Sequence, residues 1–262
     1  MVDVPKFEVL GCWFSEQLFD KYHSLALLPK GDGGLSPLER TLAYMANELK
    51  FNLVTYLTDK NDNLPTVAKY FDKIVLGTPI ALPGEPLKEL PDLPALDADI
   101  YFHVDEPELA PLDMETLNAH MTHWTRQGHK PILNFCGLRR NKHDIDYAKA
   151  YLSKYRLPMT SIDIYPCYFD STDWEFSLNY LREIRPYVQG RFVAIIQAFG
   201  KPGVWRYPTA EEIVRLAWKC KEAGVEWLQF FIWNSCWTGD ELLTGFDVLP
   251  LEYHELIASM RG

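Results

Sequence analysis

The sequence predicts an α/β protein, a single (β/α)8 barrel of the TIM type. Eight short apolar runs alternate with helical signals along the chain. Each run is rich in β-branched or aromatic residues and almost free of polar ones, as in parallel strands buried on both faces. The length of 262 residues suits such a barrel, which typically needs about 250. A doubly wound sheet would place a Gly-rich phosphate turn after its first strand. Here Gly11-Cys12-Trp13-Phe14-Ser15-Glu16-Gln17 stands there instead. No linker divides the chain, so residues 1–262 are read as one domain.

The predicted strands cover residues 7–15, 52–58, 73–78, 99–105, 131–137, 161–168, 191–200 and 227–235. Between them, Ser36 with Glu39 three residues on is a capping box, and Pro37 suits the first helical turn. Thr172 with Glu175, and Thr209 with Glu212, repeat that spacing. Leu117, Met121 and Trp124 form a helical stripe that ends at Gly128. His120 and His123 fall beside the stripe and are expected on the surface. Residues 81–98 are proline-rich and expected to be mostly loop, and residues 31–34 read as a flexible turn.

The formal net charge is −10, with no long basic run. This argues against nucleic acid or an anionic membrane as the main partner. No apolar run approaches the roughly 18–20 residues of a membrane span. The N-terminus lacks a basic-then-apolar leader, so the expectation is a cytoplasmic protein or a processed secreted one. Five scattered cysteines without a CxxC indicate neither a disulfide framework nor a zinc site. No HxH ends the first strand and no GxSxG is present, so no metal or cofactor is expected.

In this fold the chemistry sits at the C-terminal ends of the strands. Those ends carry Trp13, Ser15 and Glu16; Tyr56 and Asp59; His103, Asp105 and Glu106; Asn134 and Cys136; Asp163 and Tyr165; Gln197; and Trp233 and Asn234. Carboxylates and amides hydrogen-bond sugar hydroxyls, and indoles stack on the apolar faces of pyranose rings. The expected partner is therefore an oligo- or polysaccharide. Glu106 stands out, because Pro107 disfavours helical backbone before it and an apolar strand precedes it. The chain is expected to turn there while still extended, aiming Glu106 over the mouth as a general acid. The competing reading is that Asp105 and Glu106 cap the next helix or pair with Arg139 or Arg140.

The Asp105-Glu106-Pro107 strand end, with Ser161 to Pro166 and Gln197 to Gly200, resembles the barrel glycoside hydrolases. Clan A of those enzymes carries Asn-Glu-Pro at the fourth strand, which implies that Glu106 is the acid/base. That clan's nucleophilic Glu ends the seventh strand, where this chain has Gln197. The adjacent Asp-Glu pair also resembles the 2-acetamido-sugar hydrolases. That resemblance implies that Asp105 orients the substrate's own acetamido group as nucleophile, with Tyr165 holding the acetamido oxygen. Two alternatives stay open: Asp163 as second carboxylate, in a retaining or inverting reaction, or an acid from another loop, such as Glu16 or Asp240. The catalytic candidates are thus Glu106, Asp105 and Asp163. The substrate-binding candidates are Tyr165, Trp233, Gln197, Trp13, Asn134, His103 and Asn234, with Trp205 and Trp237 as further loop aromatics. A non-catalytic sugar-binding barrel is the competing class, favoured if no carboxylate besides Asp105 lies within about 10 Å of Glu106 and no pocket fits an acetamido group.

Overall fold

All eight predicted strands form, and they close on themselves. The computed structural model describes residues 3–16, 34–58, 61–78, 89–109, 113–136, 142–168, 170–172, 174–238 and 241–262. The strands are β1 (Val9–Ser15), β2 (Leu53–Leu57), β3 (Lys73–Gly77), β4 (Asp99–Asp105), β5 (Lys130–Phe135), β6 (Met159–Ile164), β7 (Arg191–Gln197) and β8 (Trp227–Phe231). Each pairs in parallel with the next, and β8 pairs with β1 to complete the barrel. The predicted runs for β6, β7 and β8 overshoot the strands. Their last residues belong to the loops that shape the mouth.

The period-2 alternation of a strand sends successive side chains to opposite faces. Inward residues therefore fall into layers, as the barrel interior requires. The lowest layer is apolar and takes one residue from each strand: Val9, Leu53, Val75, Tyr101, Ile132, Met159, Val193 and Trp227. Two residues further along, the layer turns polar. Thr55 donates to Gln229 across 2.5 Å, Ser161 donates to Asn134 across 2.8 Å, and His103 lies 3% exposed among them. Two residues further again come Trp13, Asp105, Asp163, Gln197 and Phe231. The outward faces pack against helices in one large core that includes Phe14, Val104, Phe135, Ile196 and Phe230. Each such side chain contributes about 1.5–3 kcal/mol by leaving water.

The helices are α1 (Pro37–Asn47), α2 (Leu64–Val67), α3 (Met114–Arg126), α4 (Lys142–Lys154), α5 (Trp174–Ile184), α6 (Ala210–Glu222) and α7 (Leu251–Ala258). Ser36 and Thr209 complete the predicted capping boxes of α1 and α6. Gly128, just past α3, has φ +88°, the left-handed backbone that favours glycine. Asp113 caps α3, so Asp105 and Glu106 do not. His120 departs from expectation: it is buried beside Trp124, with ring centroids 5.5 Å apart, and its Nδ1 meets the Thr116 carbonyl. The apolar face of α3 is wider than the Leu117 stripe and takes in the His120 ring. His123 lies nearer the surface and pairs with Glu89 at 2.9 Å. A short hairpin, β9 (Cys236–Thr238) and β10 (Glu241–Leu243), follows β8. Among the described residues no helix is long and apolar enough to cross a membrane.

Closure leaves little room at Gly11, where a Cβ would lie 2.6 Å from the Leu53 carbonyl oxygen on β2. Gly11→Ala is expected to destabilise the barrel by about 1–3 kcal/mol, the usual cost of overpacking. The midpoint of urea unfolding checks this.

Candidate active site

Glu106 follows the last residue of β4, and its backbone is not extended as expected. It has φ +39°, in the left-handed region that only about a few per cent of non-glycine residues occupy. Pro107 bars the helical alternative, and two contacts to β5 hold the turn. The Glu106 amide donates to the Asn134 carbonyl across 3.0 Å, and the Cys136 amide donates to the Glu108 carboxylate. A strained backbone at such a position costs about 1–3 kcal/mol and persists only where its surroundings enforce it. The Glu106 side chain is half-buried, and Asp105 beside it is exposed.

Asn134 gathers the acids. Its Nδ2 donates to Asp105 Oδ1 at 2.9 Å and to Asp163 Oδ1 at 3.1 Å, and its Oδ1 accepts from Ser161. Asn134 is wholly buried, so the expectation that it binds substrate is corrected: its amide serves the carboxyls. Asp163 is 6% exposed. Burial first, then the nearby charges of Asp105 and Glu106, push its carboxyl well above the ordinary value. Its hydrogen bond with Glu106 pushes it the same way. The Tyr165 hydroxyl donates to Asp163. Burial, then the three carboxyls, push that phenol well above its ordinary value, so it stays neutral. Tyr165 is thus engaged with Asp163 rather than left for an acetamido oxygen.

The apolar side of the mouth joins Trp13, Tyr165, Ile195, Phe199 and Ile232, rimmed by half-buried Leu57, Phe231, Trp205 and Leu243. Trp13 meets His103 edge-on at 5.0 Å and Phe231 at 5.2 Å. Burial pulls His103 below the ordinary histidine value and keeps it neutral, against the opposing pull of Asp105. Phe199 and Phe231 escaped the sequence reading. The signal was present in Gln229, a polar residue inside an apolar run, which marks the inward face and makes Phe231 its successor.

Three expectations at the strand ends are corrected. Trp233 turns outward, packing on Tyr44, Phe246 and His254, because the inward alternation stops where β8 ends at Phe231. It cannot be the stacking floor. Gln197 is 1% exposed, and its amide is committed to backbone. It accepts from the Cys167 amide at 2.9 Å and donates to the carbonyls of Cys167, Phe199 and Arg206 at 3.1, 3.2 and 2.9 Å. It fastens the loops after β6 and β7 together and has nothing left for a sugar. Asn234 is buried and accepts from the Ser15 amide at 2.8 Å, tying the end of β8 to β1. Glu16 accepts from Tyr56 at 2.6 Å, Thr58 at 2.7 Å and Asn63, which makes it an anchor between β1 and β2. Tyr56 faces outward with Phe14. Cys136 is buried, as a small apolar residue would be. Asp59, Arg139, Arg140, Asp240 and the Trp237 side chain lie outside the described residues, as do most of residues 31–34 and residues 81–88. Among the described residues no three His, Cys, Asp or Glu side chains are placed to hold a metal ion.

No family model matches the chain. No curated protein matches it in sequence. Solved structures do match in fold. The catalytic domain of a GH53 protein from Ignisphaera aggregans overlays with a TM-score of 0.60 at 11% identity, covering 100% of both chains. The spore cortex-lytic enzyme SleL of Bacillus cereus overlays with a TM-score of 0.56 at 8% identity, covering 100% of this chain and 76% of its own. An aldolase, QR15, overlays at 0.49 and 12% identity over 88% of this chain and 92% of its own. The chain therefore has the (β/α)8 fold that glycoside hydrolases use, and at such identities the likeness reaches no further than the fold.

The buried acid has a thermodynamic signature. Unfolded, Asp163 releases its proton near pH 3.8; folded, it keeps the proton to higher pH. Its cost to stability is therefore absent below pH 3.8 and grows as the pH rises above it. Asp163→Asn keeps the shape and both hydrogen-bonding roles without the ionisation. It is expected to raise the melting temperature at pH 7 by at least about 2 °C and to leave it unchanged at pH 3, as read by calorimetry. A second expectation concerns Gln197→Leu, which leaves four backbone groups unpaired. It should cost about 2–4 kcal/mol in urea unfolding.

Proposed function

We propose that this protein is a glycoside hydrolase acting from the C-terminal mouth of its barrel. Glu106 is the general acid and base, Asp105 the orienting carboxylate, and a 2-acetamido group on the substrate the nucleophile. The observation that carries this reading is the setting of Asp163: it is buried, held by Asn134, and kept from ionising by its burial and by the charges of Asp105 and Glu106. A retaining pair of carboxyls stands about 5–5.5 Å apart and an inverting pair about 6.5–9.5 Å, leaving room for a sugar carbon or a water. Burial and the nearby charges of Asp105 and Glu106 hold Asp163 well above the ordinary carboxyl value, which makes it a poor nucleophile or base.

Two carboxyls in contact cannot both ionise easily. The pair thus brings one proton to the mouth at neutral pH, and half-buried Glu106 is the member able to present it. As the C–O bond breaks, Glu106 gives that proton to the leaving oxygen while the acetamido oxygen attacks the anomeric carbon. Exposed Asp105 steadies the acetamido N–H and the positive charge of the cyclic intermediate. Glu106 then takes a proton from the water that opens the ring. Gln197 and Glu16 are occupied by backbone and side-chain donors, which supports assigning the nucleophile to the substrate. A glycoside hydrolase domain and a cortex-lytic enzyme among the structures that share the barrel agree with this reading at the level of fold.

The test is a screen of chromogenic glycosides, 2-acetamido sugars beside plain hexosides. The acetamido sugars are expected to turn over with retained anomeric configuration, followed by NMR in the first minutes. Glu106→Gln should lose about 10²–10⁴-fold in turnover, and Asp105→Asn about 10²-fold or more. An inverted product, or near-wild-type turnover in Glu106→Gln, would overturn the assignment.

A further inference from the structure

Beneath the carboxyls, two polar atoms in the barrel interior have no partner among the described residues: Trp13 Nε1 and His103 Nε2. Their side chains are 5% and 3% exposed. Strands β1 and β4 are not neighbours in the barrel, so the 5.0 Å contact between the two rings crosses the interior and fixes both as inward-pointing. Native proteins rarely leave buried polar atoms unpaired without a reason. Two of them meet in one ring contact beneath half-buried Leu57, Phe231 and Trp205, each lacking a partner among the described residues.

The chemistry of the pair restricts any guest. An indole N–H only donates, so the guest must offer an acceptor, which an ammonium group does not. Asp105 stands two residues above His103 on the same face, so a negative guest is repelled. What remains is an uncharged oxygen. A hydroxyl can accept from Trp13 and donate to His103; a carbonyl oxygen can accept from both. We propose that Trp13 and His103 form a specificity pocket that receives one uncharged oxygen substituent of the sugar seated at Glu106. The pocket rests on the glycosidase reading for the guest's being a sugar, and on geometry alone for its being an uncharged oxygen.

The test labels the full chain with 15N at tryptophan. Its eight Trp residues give indole N–H cross-peaks, and the one missing from Trp13→Phe belongs to Trp13. N-acetylglucosamine, glucose, 2-deoxyglucose and 6-deoxyglucose are titrated in turn. The Trp13 cross-peak is expected to move with at least one parent sugar. One deoxy analogue should bind about tenfold more weakly, the worth of one hydrogen bond. In Trp13→Phe and in His103→Leu that difference should shrink to within about twofold, read by calorimetry. A Trp13 cross-peak that stays still with every sugar overturns the proposal and leaves a resident water as the occupant. A preference unchanged in both variants overturns it too. Movement of the peak without hydrolysis of any glycoside keeps the pocket and removes the glycosidase reading. Hydrolysis without movement does the reverse.

Discussion

One amide nitrogen, Asn134 Nδ2, donates to Asp105 on β4 and Asp163 on β6, and the mouth of the barrel is arranged around those two bonds. Asn134 lies on the strand between them and is itself held by Ser161. Its carbonyl also receives the Glu106 amide, so one residue fixes the backbone of the proposed acid and the carboxyls on either side of it. Without that donor, buried Asp163 would lose its amide partner, which is costly.

The same neighbourhood concentrates unfavourable terms. Asp163 is a buried acid, Glu106 has a backbone that residues other than glycine rarely adopt, and Trp13 and His103 leave polar atoms unpaired. Each lowers stability, and all lie at the C-terminal end of the barrel. The opposite end is a ring of eight apolar side chains. The barrel supplies stability from that ring and from the outer core, and tolerates strain where chemistry is proposed.

Gln197 shows how an inward polar residue at a strand end can serve the scaffold. Its amide is a fastener, with both its oxygen and its nitrogen on backbone. Through Phe199 it also steadies Tyr165, whose ring meets Phe199 edge-on at 5.1 Å. Tyr165 in turn donates to Asp163. Gln197 on the seventh strand is thus linked to Asp163 through Phe199 and Tyr165.

The fold was legible because burial on both faces forces a strand to be apolar throughout, and eight such runs in the right length leave few architectures. The shared face of His103 and Asp105, and of Asp163 with Tyr165 one residue past the end of β6, was legible from alternation along the strands. Where regularity ended, the sequence lost its hold. Trp233 lies beyond the end of β8 and turned outward; Glu106 lies beyond the end of β4 and took positive φ. His120 was buried because a neighbouring face was wider than its stripe. The roles of Asn134, Gln197 and Asp163 were decided only by tertiary structure. A polar side chain has the same composition whether it meets solvent, backbone or another acid, and only closure of the barrel brings those partners from distant parts of the chain to within a hydrogen bond.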